Sequence, residues 1–66
     1  MKLFVNGQSQ TVAAGITAAE LLAETGFQNK RIAVEINLEI VPRSSLSTLV
    51  LKEGDEVEIV QAIGGG

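Results

Sequence analysis

The residues of this sequence best suited to covalent chemistry are its last three, Gly64-Gly65-Gly66. Lacking Cβ atoms, they make the thinnest peptide available and reach backbone angles closed to other residues. Fully extended they span roughly 10 Å, at ~3.3–3.6 Å per residue, and so fit a narrow channel in another protein. At the end of such a channel the α-carboxylate of Gly66, ionised at neutral pH, is a nucleophile for the α-phosphate of ATP. The same glycines would equally compose a plain flexible tail or linker, and the tail alone does not choose between the two readings. What favours chemistry is that the glycines follow a strand pattern directly, with no serine-rich spacer between.

Other chemistry is closed off by composition. The chain has no cysteine and no histidine, which removes a thiolate nucleophile, Ser-His and Cys-His pairs, and the common zinc sites. No Gly-x-x-x-x-Gly-Lys-Ser/Thr stretch is present to cradle nucleotide phosphates; Gly7, Gly15, Gly26 and Gly54 stand singly, as turn residues do. Any ATP chemistry must therefore come from a partner, and the chain is expected to be a substrate of that partner rather than an enzyme. A formal net charge of −3, five Lys plus Arg and two aromatic residues, Phe4 and Phe27, argue against nucleic-acid binding. The acidic balance suits a basic protein surface better. Met1 to Val5 briefly resembles the start of a signal peptide, but Asn6-Gly7-Gln8-Ser9-Gln10 ends the apolar run. No stretch approaches the ~20 apolar residues of a spanning helix. The expectation is a soluble, cytoplasmic, monomeric chain away from membranes.

With 66 residues and 45% hydrophobic content, the elements that position the tail must form one small domain, assigned to residues 1–63, with 64–66 as a flexible tail. Met1, Leu3 and Val5 alternate with Lys2 and Phe4 as a strand, and Asn6-Gly7 signals a hairpin whose register the sequence leaves open. Gln8 to Val12 returns as a polar edge strand. Thr17-x-x-Glu20 is a capping box, Ile16 and Leu21 form a hydrophobic staple, and Gly26 closes a helix over 18–25. Ile32, Val34 and Ile36 predict the buried face of a third strand, with a turn at Asn37. A short strand at Ile40-Val41 is stopped by Pro42, and a single helical turn is expected within 44–48. Lys52-Glu53-Gly54-Asp55 turns into a last strand, expected over 56–63, with Val57 and Ile59 opposite Glu58 and Val60. The first and last strands are the most apolar and belong side by side in the middle of the sheet. That arrangement is an α+β β-grasp: a mixed sheet of four to five strands with one helix packed on one face.

On the face opposite that core, Phe4 and Val60 are expected beside each other, extended by Ala33 and Ala62, as a partner-binding patch next to the tail. Scattered exposed apolar atoms on a thin sheet are the plainer account. Glu35, Glu56 and Glu58 on the same face are suited to steering a basic partner, or simply to being solvated.

Three stretches carry a family resemblance: Val34-Glu-Ile-Asn37, Glu39-Ile-Val-Pro-Arg43, and Leu51-Lys-Glu-Gly-Asp55 with Glu58-Ile-Val60, closed by Gly65-Gly66. In these the chain resembles, over essentially its whole length, the ThiS family of thiamin-biosynthetic sulfur carriers, which are ubiquitin-like β-grasp proteins. The resemblance implies that an E1-like, ThiF-type enzyme uses ATP and magnesium to adenylate Gly66, with Gly64 and Gly65 threading into its site. It further implies that a persulfide donor converts the adenylate to a thiocarboxylate, and that a ThiG-type thiazole synthase accepts the sulfur. No stably bound cofactor is implied. The residues agree on one separate point, since a sulfur carrier without cysteine has no side chain on which to hold a persulfide. Rival readings are a molybdopterin-type carrier, a ubiquitin-like protein modifier with the same tail chemistry, and an RNA-binding β-grasp module. The Ile-Val-Pro-Arg stretch favours the thiamin carriers over the molybdopterin ones.

Overall fold

A computed structural model describes residues 1–27 and 31–61. It contains five strands, β1 (Lys2–Val5), β2 (Gln8–Thr11), β3 (Ile32–Ile36), β4 (Glu39–Val41) and β5 (Glu56–Gln61), with one α-helix, α1 (Ala18–Thr25). The strands form a single sheet in the order β2-β1-β5-β3-β4. β5 is central, parallel to β1 and antiparallel to β3, so the sheet is mixed. This is the β-grasp arrangement expected from the alternation of apolar residues in the first and last strands.

Both hairpins close through two-residue loops. Val5 pairs with Gln8 across Asn6-Gly7, which settles the register that the sequence leaves open, and Ile36 pairs with Glu39 across Asn37-Leu38. All four loop residues have positive φ, as a type I′ turn requires; its twist matches that of the strands it joins. Polar β2 lies at one edge of the sheet and three-residue β4 at the other, ended by Pro42. The expected helical turn is a 3-10 turn at Arg43–Ser45, one residue earlier than the serine run suggests.

α1 begins as predicted, with Thr17 Oγ1 accepting the Glu20 N–H at 3.2 Å and Glu20 Oε1 accepting the Thr17 N–H at 2.9 Å. The remaining donors of the first turn go to a segment the sequence does not connect with it. Ala18 N–H donates to Leu49 O and Ala19 N–H to Leu46 O, both at 2.9 Å. An eight-residue helix is too short to persist alone in water, and this tie to 46–49 satisfies groups that would otherwise be orphaned at its N-terminus. Gly26, at φ 88°, ends the helix in the left-handed conformation and donates to Leu22 O. Ala18, Leu21 and Leu22 pack onto Leu3, Val5, Val34, Ile36, Val57 and Ile59 from the sheet, with Val12, Ile16, Leu46 and Leu51 closing the sides. The core thus occupies one face of the sheet and leaves the other open.

Candidate functional site

The strand that precedes the C-terminal glycines in sequence is β5. Its side chains alternate from Glu56 to Val60, with Val57 and Ile59 buried and Glu56, Glu58 and Val60 exposed, and Gln61 at the end of the strand is exposed as well. β3 runs along one side of it from Ile36↔Val57 to Ile32↔Gln61. β1 pairs with it on the other side only at Phe4↔Glu56 and Val5↔Val57 before turning away. Asn6 continues that side: Ile59 N–H donates to Asn6 Oδ1 at 2.8 Å, and Asn6 Nδ2 donates to Ile59 O at 3.3 Å.

The start of β5 is fixed by a second asparagine and a buried acid. Glu56 N–H donates to Asn37 Oδ1 at 3.0 Å, and Asn37 Nδ2 donates to Asp55 Oδ1 at 3.1 Å. Asp55 is 7% exposed, and its Oδ2 accepts the Lys52 N–H at 2.8 Å, closing the turn that leads into the strand. Among the described residues no buried side-chain polar atom lacks a partner, so this network is complete.

The open face carries the predicted patch in altered form. Val60, 60% exposed, lies directly across from Ala33, as expected. Phe4 is not beside it. Its neighbour on β5 is Glu56, four residues and about 13 Å up the strand from Val60 at ~3.3 Å per residue. Glu58 stands between them. The Lys2 ammonium sits 5.8 Å from the Phe4 ring centroid, within cation–π range. The sequence places Phe4 and Val60 on one face correctly, but it cannot supply the stagger of a parallel ladder two residues long. Glu35 lies directly opposite Glu58, and like charges so placed disfavour the sheet by roughly 0.2–1 kcal/mol. Ala62, Gly64, Gly65 and Gly66 lie outside the described residues, as do Ile63, the expected end of β5, and the boundary between 63 and 64.

Sequence reasoning misses the two asparagine side chains. Asn6 and Asn37 are legible as turn residues, but they bond to β5 residues 53 and 19 positions away in sequence. It also misses Leu38 and Ile40, 85% and 77% exposed on the β3–β4 hairpin. No local pattern marks either as surface. Among the described residues there is no cluster of three or more acids able to hold a metal ion, and no helix is long and apolar enough to cross a membrane.

Comparison with known proteins bears on this arrangement directly. A profile described as ThiS family matches residues 3–66. A thiazole synthase of Paramagnetospirillum magneticum is 47% identical over 66 residues, all of this chain but 20% of that protein. The chain thus spans about a fifth of the length of the first such relatives. The sulfur carrier protein ThiS of Escherichia coli is 35% identical over the full length of both chains. A crystal structure of a thiamine biosynthesis protein (ThiS) from Geobacter metallireducens superposes with a TM-score of 0.86 at 36% identity, covering all of both chains.

Proposed function

The chain belongs to the ThiS family, and from that premise we propose that it carries sulfur for thiamin thiazole formation on the carboxylate of Gly66. An E1-like adenylating enzyme, with ATP and magnesium, joins that carboxylate to AMP and releases pyrophosphate. A persulfide sulfur attacks the acyl carbon and AMP departs, leaving an acyl disulfide. A thiol then cleaves the sulfur–sulfur bond; the thiol is oxidised to a disulfide with the donor's inner sulfur, and the carrier leaves as a thiocarboxylate that keeps the transferred sulfur. A thiazole synthase takes the sulfur. That acceptor is supported by the relatives named thiazole synthase, which contain a stretch similar to the whole of this chain.

The observation that carries the reading is the geometry of β5. The central strand of the sheet is bonded to β1 and β3 over its first part and to β3 as far as Gln61, immediately before residue 62 in sequence. Five residues beyond Gln61 reach about 17 Å when extended, far enough to place a carboxylate inside a partner while the folded body stays outside. Phe4, Ala33 and Val60, with the three glutamates among them, offer that partner an apolar and acidic docking face; Ala62 follows in sequence, and Gly64 and Gly65 are the glycines proposed to thread into the partner.

The test is the intact mass of the chain after incubation with an adenylating enzyme, ATP, magnesium and a sulfur donor. A gain equal to one oxygen exchanged for one sulfur is expected, and none in a chain lacking Gly65 and Gly66. No gain, with an enzyme active on another carrier, would end the proposal.

A further inference from the structure

Two asparagine side chains stand in for strand backbone along β5, one at each end. A carboxamide presents a donor and an acceptor much as a peptide group does. Asn37 uses its amide at Glu56, where the strand begins. Asn6 uses its amide at Ile59, two residues before the last described residue of the strand. Its backbone N–H also donates to Val57 O at 2.8 Å. Since β1 turns away at Gly7, the parallel ladder would stop at Val57 without the Asn6 side chain. The carboxamide adds one rung, and beyond it β5 is laddered to β3 alone, through Ile32↔Gln61.

We infer that Asn6 is a positioning residue for the C-terminal tail: by pinning Ile59 on the side that β1 has left, it fixes where and in what direction the chain departs toward Gly66. The inference rests on the proposed function and deepens it. A partner that must receive the carboxylate at one point in its active site gains when the strand feeding the tail is already ordered. Without the Asn6 rung, one or two more residues have to be ordered on binding, and fixing each residue's backbone carries an entropic cost. The loss falls on association with the partner, whose own groups set the geometry of acyl transfer. It should therefore raise KM and leave kcat in place.

Glycine tests this at both positions, because φ of 51° at Asn6 and 52° at Asn37 suits glycine and each substitution keeps its turn. In Asn6→Gly we expect faster amide exchange at Ile59, greater picosecond–nanosecond motion of the Gln61 amide by 15N relaxation, and a rise in KM of about five- to thirtyfold for pyrophosphate release. Asn37→Gly is the control. It removes the equivalent carboxamide at the other end of the strand, should cost at least as much stability, and should leave both Gln61 and KM as in the parent. The inference is overturned if Asn6→Gly leaves Gln61 as ordered as before with KM unmoved, or if Asn37→Gly raises KM equally, since that would be a general effect of stability. A parent chain that is not adenylated at all sinks the proposed function instead, and the relaxation of Gln61 still decides whether Asn6 orders the end of the strand.

Discussion

The two hairpins of this sheet use the same turn with different second residues. Asn6-Gly7 and Asn37-Leu38 each join their strands with two residues at positive φ, and the asparagines differ by only a degree, 51° and 52°. Gly7, at 84°, is the relaxed solution. Leu38, at 71° and 85% exposed, is not; a left-handed conformation costs an L-residue with a Cβ roughly 1–2 kcal/mol. The surroundings explain why the second turn tolerates this. Asn37 is tied both to β5 and to buried Asp55, whereas Asn6 is tied to β5 alone. A strained residue persists where its neighbours over-determine the backbone, and the Asp55 network supplies that constraint.

The largest test removes the constraint. Asp55→Ala leaves the Lys52 N–H and the Asn37 amide without their acceptor, and should lower unfolding free energy by about 2–4 kcal/mol, with a matching fall in the urea midpoint. Next comes Gly7→Ala. A Cβ there meets nothing within 4 Å, so the expected loss of about 1–2 kcal/mol is conformational. An unchanged midpoint would mean the first turn had relaxed to another type. Leu38→Gly should move the other way, adding about 0.5–1 kcal/mol as strain is relieved against the greater entropy of an unfolded glycine. If it destabilises, Leu38 makes a favourable contact and the two turns are not equivalent. The smallest effect belongs to the open face, where Glu58→Gln relieves the opposition with Glu35 and should stabilise by a few tenths of a kcal/mol. Added salt should shrink that gain by screening it.

What was legible in the sequence follows the range of the interaction. Thr17 and Glu20 lie one helical turn apart, and their capping box was readable from their spacing. The alternation of Val57, Glu58, Ile59 and Val60 was equally plain, because strand sidedness is a local property. The central place of β5 came from its apolar content beside that of β1. The proposed site is legible only in the terminal glycines and a family pattern, at residues outside those described. Legibility failed where two distant segments meet. The stagger that parts Phe4 from Val60, the carbonyls of Leu46 and Leu49 that cap α1, and the carboxamides that edge β5 all depend on packing rather than on neighbours in sequence. Leu38 was hidden for the opposite reason, since local preference argues against leucine where the fold has put it.

The central position of β5 also bears on how the molecule is made. It is the last of the five strands in sequence, yet it is the one that joins β1 to β3. Until it is available, the two hairpins have no shared ladder and each exposes an unpaired inner edge, the kind of edge that invites association between chains. Closing the sheet means bringing Phe4 to Glu56, a long-range contact of the sort that slows folding. A chain that has not placed β5 has neither hairpin joined to the other, so completion of the sheet and ordering of the strand that leads to the C-terminus are one event.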